Sequence, residues 1–413
     1  MSGGSDERIP VGPQHPSLKE PANFMLDVDG EEITGADLTL SYNHRGMEEA
    51  AQRKDYLQNI YLLERICGIC SHSHTTAYVQ AVEELMDVEV PDRAKYIRTL
   101  IGELERLHSH LLWLGVGGHE MGFDTLWHYA WRDRELVLDS LEELSGNRVN
   151  YAINTIGGVR EDLSDEQAEL ILENVAQVRE RAEYYRDVVP EEETVRLRAE
   201  GVGPLSKADA EKQCAVGPTA RASGVATDVR KEDPYAAYDE LDFEIVVDDR
   251  GDLLGRILVR LDELIQAADL CTQAIENMPE GDLRGVERPS HTLSNMIEEG
   301  EVVSRYEAPR GELIHYIRSD GSPNPARVKV RAPTLANWPS VVQGLKNSYL
   351  ADAPMIVAGI DPCISCTARI GVEMNAVGGV SGAPEGIENL DDLSDYAKEW
   401  YARRGDQPKR GDA

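Results

Sequence analysis

The stretch Glu64 to His74, "ERICGICSHSH", sets Cys67 and Cys70 three positions apart, with two histidines close behind. A C-x-x-C spacing lets both sulfurs of a pair face one ion from a single turn, yet one such pair alone is equally compatible with redox, structural or accidental use. The second pair decides: "DPCISCTAR" carries Cys363 and Cys366 at the same spacing, nearly three hundred residues downstream. Two such pairs in one chain point to four thiolates around a soft metal. Structural zinc is the plain alternative, but zinc sites of that kind close a small local loop, whereas this separation requires the whole domain to fold around the ion. Cys214 and Cys271 stand alone and are expected to be small buried hydrophobes.

A chain of 413 residues can bury a sizeable core and needs no staples. Its net charge of −33 argues against nucleic acid, because phosphate binding needs clustered Lys and Arg. The acidic residues are spread along the chain, and arginine outnumbers lysine about threefold, the pattern of a solvated surface suited to high salt; a halophilic source is expected. Six cysteines are too few for a disulfide framework, and no charged-then-apolar leader is read, so a reducing, cytoplasmic setting is expected. No apolar run reaches the eighteen or so residues of a membrane span, so membrane association would come through a partner.

The patterning predicts α+β architecture, a mainly helical bundle with small antiparallel sheets from both ends of the chain. "FMLDV" and "EEITGADLTL" flank Asp29-Gly30, a dipeptide that favours tight hairpins, and predict a small sheet over 23 to 41. Ile97, Leu100, Ile101, Leu104, Leu107, Leu111 and Leu114 recur at helical spacing and predict one buried stripe. Ser164 and Gln167 have the capping-box spacing and open a second long helix. A third runs from about Asp252 to Met278 and stops at Pro279. After residue 300, "ELIHYIR" and "ARVKVRAP" read as strands joined by the turn "SDGSPNP".

With these residues in view, the chain resembles the large subunits of membrane-bound, energy-converting nickel-iron hydrogenases. The likeness rests on both cysteine motifs and on "GPQHPSLKEP", "HRGMEEA", "GFDTLWHYAWRDRE", "GGVREDL", "GPTARASGV", "DVRKEDPYAAYDELDF" and "APRGELIHYIRSDG". Many of these also resemble the 49-kDa quinone-site subunit of respiratory complex I, a relative that has lost the four cysteines. The resemblance implies an N-terminal β-rich segment (1–46), a hydrogenase core (47–369) and a C-terminal extension (370–413). That extension is either removed after Arg369 on maturation or kept as a permanent element, since "NLDDLSDYAKEWY" has the pattern of a short amphipathic helix. Family members commonly carry an acid where this chain has Ala368.

The resemblance also implies roles. Cys67 and Cys363 would be terminal nickel ligands, and Cys70 and Cys366 would bridge nickel to an iron carrying cyanide and carbonyl. Dihydrogen would split heterolytically, with the proton taken by Cys363 and relayed by Glu20. His74 would donate to the bridging sulfur of Cys70, and Arg310 would stand over the open metal position, anchored by Asp361 and Asp124. His15 and Tyr78 match the positions at which complex I holds its quinone. That relation brings quinone binding and NAD binding as expectations, and a complex I-like or sulfur-reducing subunit as the alternative function. A non-catalytic scaffold holding zinc is the third reading. Implied partners are an iron-sulfur small subunit (20-kDa-like) bearing the cluster, a 30-kDa-like subunit and antiporter-like membrane subunits, with the chain peripheral on the cytoplasmic face.

Overall fold

A computed structural model describes residues 7–286 and 297–367. Strands β1 (Glu7–Val11), β2 (Asn23–Asp29) and β3 (Glu32–Thr39) form an antiparallel sheet in that order. Gly30 takes φ 65° at the tight turn that the Asp-Gly pair predicts, and Asp29 pairs with Glu32 across it. The first strand was not legible: "ERIPV" is short and carries Pro10, which suits an edge.

Helices α1 (Met47–Ala51), α2 (Tyr56–Glu64) and α3 (Ser71–Leu85) lead into α4 (Asp92–Met121) and α5 (Asp124–Ser145). Every apolar position predicted for α4 is buried, but Glu103, Glu105, Arg106 and His108 are buried too. The helix therefore runs through the core and is enclosed on more than its apolar stripe, packed by α5 and by α11 (Leu253–Glu276). Between them lie the short β4 (Asn154–Thr155) and β5 (Gly158–Val159), then α6 (Asp165–Val188) and the short helices α7 (Glu193–Ala199), α8 (Lys207–Lys212), α9 (Pro218–Arg221) and α10 (Val229–Glu232). The capping box forms at α6: Ser164 Oγ accepts from Gln167 N, and Gln167 Oε1 accepts from Ser164 N. Asp252 caps α11 by accepting from Gly255 N at 2.8 Å, and the helix ends just before Pro279.

A second antiparallel sheet follows, β6 (Glu299–Ala308), β7 (Gly311–Asp320) and β8 (Arg327–Arg331), then α12 (Pro333–Leu345) and α13 (Ala353–Ala358). Three apolar cores result. One joins α4, α5, α6 and α11; one lies between α2, α3 and the second sheet; one packs the first sheet on α12 and α13 through Phe24, Leu26, Trp338 and Ile356. The four motif cysteines belong to the second core, which α3 and the second sheet share.

Candidate metal centre

Cys67 lies in the loop after α2, Cys70 immediately precedes α3, and Cys363 and Cys366 lie in the loop after α13. Residues far apart in the chain thus converge: the four Sγ atoms lie within 4.8 Å of one another, all buried and all free. Cys67 and Cys363 sulfurs are 3.3 Å apart, Cys363 and Cys366 2.8 Å, Cys70 and Cys366 3.7 Å.

Both loops are fixed from several sides. Arg45 donates to the carbonyls of Arg65 (2.9 Å) and Ile66 (2.7 Å) ahead of the first pair, and to that of Ser365 (3.3 Å) within the second. Thr334 Oγ1 accepts from Cys363 N at 3.1 Å. Trp113 Nε1 donates to Ala358 O (2.7 Å) and Arg260 to Gly359 O (3.1 Å), holding the approach to the second pair. Glu20 Oε2 accepts from Ile364 N (2.5 Å) and Ser365 N (3.1 Å), and Ser365 Oγ also donates to this carboxylate.

Charge is arranged around the sulfurs. Hydrogen bonds from Cys363, then Cys366 and Cys70, hold the Cys67 thiol well below the usual range, against burial and with help from the Arg310 charge. Burial, then hydrogen bonding with Cys363, pushes Cys366 well above it. One thiolate forms readily, and a full set needs a cation among them. Four thiolates converging from two loops fit a soft metal.

Burial lowers His74 to about 4, so its ring is neutral. Nε2 lies 3.5 Å from Cys366 Sγ, and Nδ1 lies 3.2 Å from His315 Nε2. His315 Nδ1 has no partner among the described residues. One tautomer chain fits: His315 Nε2–H donates to His74 Nδ1, and His74 Nε2–H donates to Cys366, leaving His315 Nδ1 bare. The expected contact to Cys70 is thus made to Cys366 instead, because helix α3 carries the ring across toward the second pair.

Arg310 is buried and donates to Asp361 O (2.6 Å), Asp361 Oδ1 (2.9 Å) and Ser109 Oγ (3.4 Å). Asp361 Oδ2 is buried with no partner among the described residues. Asp124 does not serve as the second anchor: it is largely exposed at the start of α5 and pairs with His119 at 2.7 Å. His15 accepts from Ser17 N at 3.3 Å and lines a shallow surface pocket. Tyr78 is buried, donates to Tyr56 O at 3.0 Å, and does not line the cavity at the thiols. Cys271 is buried as expected, whereas Cys214 is exposed in a turn at φ 53°. Ala368, Arg369 and the extension 370–413 lie outside the described residues.

A cavity of about 530 Å³ opens onto the site. Cys67, Cys363, Arg310 and Asp361 line it, with Glu20, Arg45 and Arg65, while Cys70 and Cys366 do not. Arg45, Ser109, His315 and Thr334 were missed as site residues. Only His315 had a usable signal, an inward position in the alternating strand "ELIHYIR".

An α+β bundle thus brings four thiols from two distant loops together beside a buried guanidinium and a cavity, a donor set suited to a soft metal. Residues 120–369 match the family described as respiratory-chain NADH dehydrogenase, 49 Kd subunit, and residues 45–115 match nickel-dependent hydrogenase. The membrane-bound hydrogenase subunit alpha of Pyrococcus furiosus is 44% identical over 375 residues, 88% of this chain and 88% of its own. An NADH-quinone oxidoreductase subunit of Sinorhizobium medicae is 36% identical over 377 residues, 86% of this chain and 93% of its own. The solved membrane-bound sulfane sulfur reductase, an archaeal respiratory membrane complex, contains a chain with TM-score 0.84 and 34% identity, over 89% of this chain and all of that one. The chain belongs to the family that unites the large subunits of energy-converting nickel-iron hydrogenases with the 49-kDa subunit of complex I, a family of oxidoreductases. Among the described residues no helix is long and apolar enough to cross a membrane, and the relatives are subunits of membrane-bound complexes.

Proposed function

We propose that this chain is the catalytic subunit of a membrane-associated nickel-iron hydrogenase, reversibly splitting dihydrogen into protons and electrons. The observation that carries the reading is the set of four buried, free thiols within 4.8 Å, with Arg310 and its carboxylate at the same cavity. Cys67, Cys70, Cys363 and Cys366 would hold nickel together with an iron bearing cyanide and carbonyl. When bound, the two metals supply the centre at which dihydrogen is polarised.

The chain's own residues do the rest. Cys363 lines the cavity, and its thiolate takes the proton of the split. Glu20 is bound to the two peptide N–H groups that follow Cys363 and lines the same cavity as that thiol, which supports it as the carboxylate that passes the proton on. Arg310 keeps its charge when buried and fixes a positive field over the cavity, with Asp361 as its counter-ion. His74 donates to Cys366 and limits the charge on that sulfur. Electrons would leave through an iron-sulfur small subunit, with antiporter-like membrane subunits and a 30-kDa-like subunit completing the complex on the cytoplasmic face.

Metal analysis of the purified complex tests this. Nickel and iron in equal amounts, with hydrogen evolution and infrared bands of cyanide and carbonyl, are expected. Zinc alone would establish a scaffold instead. Cys363→Ser is expected to abolish hydrogen turnover.

One observation favours a second reading, reduction of a sulfur or quinone substrate. The cavity is as large as those that hold drug-sized ligands, roughly 300 to 1,000 Å³, and Arg45, Arg65 and Lys19 line it. Polysulfide and quinone reduction by the same preparation, retained in Cys363→Ser, would establish that reading.

A further inference from the structure

Three guanidiniums and four carboxylates face one another inside the fold. Arg106, Arg221 and Arg230 meet Glu103, Asp228, Glu263 and Glu307, and no side chain of the seven is more than 2% exposed. Within ion-pair distance the carboxylates outnumber the guanidiniums by one, with buried Arg260 on α11 acting on Glu263 from further off. His110 on α4 adds no charge to offset the excess: burial lowers the ring, Nε2 lies 2.8 Å from Glu263, and Nδ1 has no partner among the described residues. A buried anion short of counter-charge is unfavourable, so the least compensated of the four carboxylates is the one that favours a proton near neutrality.

The contacts select which one. Glu103 meets two guanidiniums at 3.1 Å and the Tyr238 hydroxyl at 2.6 Å. Asp228 takes two bonds from Arg230 (3.0 and 2.7 Å) and faces Arg221 at 3.6 Å. Glu263 meets Arg221 through both Nε (2.9 Å) and Nη2 (2.8 Å), besides His110. Glu307 has a single guanidinium contact, Arg221 Nη1 at 2.8 Å, and the Val229 N–H at 3.2 Å. Burial raises it to about 7 against the pull of Arg221, with Asp228 adding to the rise.

This carboxyl is also the one with a door. A surface cleft of about 290 Å³ is lined by Glu307 and Asp228, with Glu232 from α10 and Arg305, Glu312 and Arg331 from the second sheet at its walls. On the inner side, Arg106 donates to Glu307 O (2.8 Å), Tyr235 Oη accepts from Glu307 N (3.0 Å), and Arg310 follows three residues later.

We propose that Glu307 is an internal proton-binding site, filled from solvent and emptied into it through the cleft at Asp228 and Arg331. The step is the simplest balanced one: a carboxylate oxygen takes a proton from water and one O–H bond forms. No metal is needed for it, so the site stands or falls separately from the reading of the thiols.

Infrared difference spectra of the purified complex carrying Glu105→Gln, which removes the other carboxyl that burial raises into this range, titrated from about pH 5.5 to about pH 8.5, test the proposal. A protonated-carboxyl band is expected to grow toward acid with a midpoint near about pH 7, to shift with ¹³C-labelled glutamate, and to shift in D₂O. Glu307→Gln is expected to remove it. If the Glu307→Gln variant does not assemble, the labelled Glu105→Gln complex decides alone. A band that ignores the glutamate label, survives Glu307→Gln or fails to exchange with D₂O overturns the site, as does no band at all.

Discussion

Asp361 carries two tasks at once: it binds the Arg310 guanidinium, and at φ 53° it turns the chain into the second cysteine pair. Asparagine tolerates that backbone and removes the charge, so Asp361→Asn isolates the electrostatic part. Removing one partner of a buried pair leaves the other uncompensated, and a loss of about 3 kcal/mol is expected in urea denaturation. Asp361→Ala should lose about a further 1 kcal/mol through the backbone alone. Glu105 offers a cleaner pH test. It accepts from His72 N (2.7 Å), Ser73 N (3.0 Å) and Ser73 Oγ at the start of α3, and burial raises it to about 8. A carboxyl raised in the folded state contributes stability at low pH that is lost as pH climbs from its unfolded value near 4.5 through about 8. Over that window native stability should fall relative to Glu105→Gln by about 1.4 kcal/mol per pH unit, read from paired urea titrations.

At the scale of elements, the turn that carries Arg310 between β6 and β7 is set by another turn. Gly217, ahead of α9, and Gly311 both have positive φ, and their backbones touch. A Cβ on Gly217 would lie 2.4 Å from Arg310 O and from Gly311 Cα. Gly217→Ala should therefore cost about 3 kcal/mol or more and release bound metal, whereas Gly30→Ala, with open space at φ 65°, should lose only about 1 kcal/mol and no metal. Metal content after dialysis separates the two. The same pair shows what the sequence conceals. Helix α6, helix α11 and the hairpins could be read because caps, Pro and Gly act locally. The Gly217 contact, the Arg45 bridge between cysteine loops and the turn of His74 toward Cys366 are tertiary facts with no local period. The charges of α4 escaped the pattern for a related reason: Glu103 and Arg106 lie off the apolar stripe, and their partners come from α10 and β6. Of the centre itself, the four cysteines were legible from residue type and spacing, whereas Arg310 and Asp361 came through the family resemblance alone.

For the whole molecule, two electrostatic effects oppose each other as pH falls. The net charge of −33 repels itself, so added salt should raise stability at neutral pH, and protonating exposed carboxylates would by itself relieve the strain. The interior behaves the other way. Burial holds His72 and His108 at about 3, His74 at about 4, and His110 and His315 below their usual range. A histidine lowered in the folded state favours unfolding as pH drops below about 6.5, because only the unfolded chain takes the proton. Glu105 and Glu307 work against this, being already protonated in the fold at about pH 5.5 and ionised when unfolded. The three histidines held at about 3 to 4 outnumber the two carboxyls by one, a net uptake of about one proton on unfolding and a loss of about 1.4 kcal/mol per pH unit. His110 and His315 add to this loss, and Glu64, raised by burial, offsets it. Stability of the metal-free chain should therefore fall between about pH 6 and about pH 5, a noticeable part of a usual total of about 5 to 15 kcal/mol. Urea midpoints at both pH values, each at low and high salt, separate the causes. Salt should help more at pH 7 than at pH 5, while the acid loss should persist at high salt; if salt abolishes the acid loss, surface charge rather than the buried histidines is responsible.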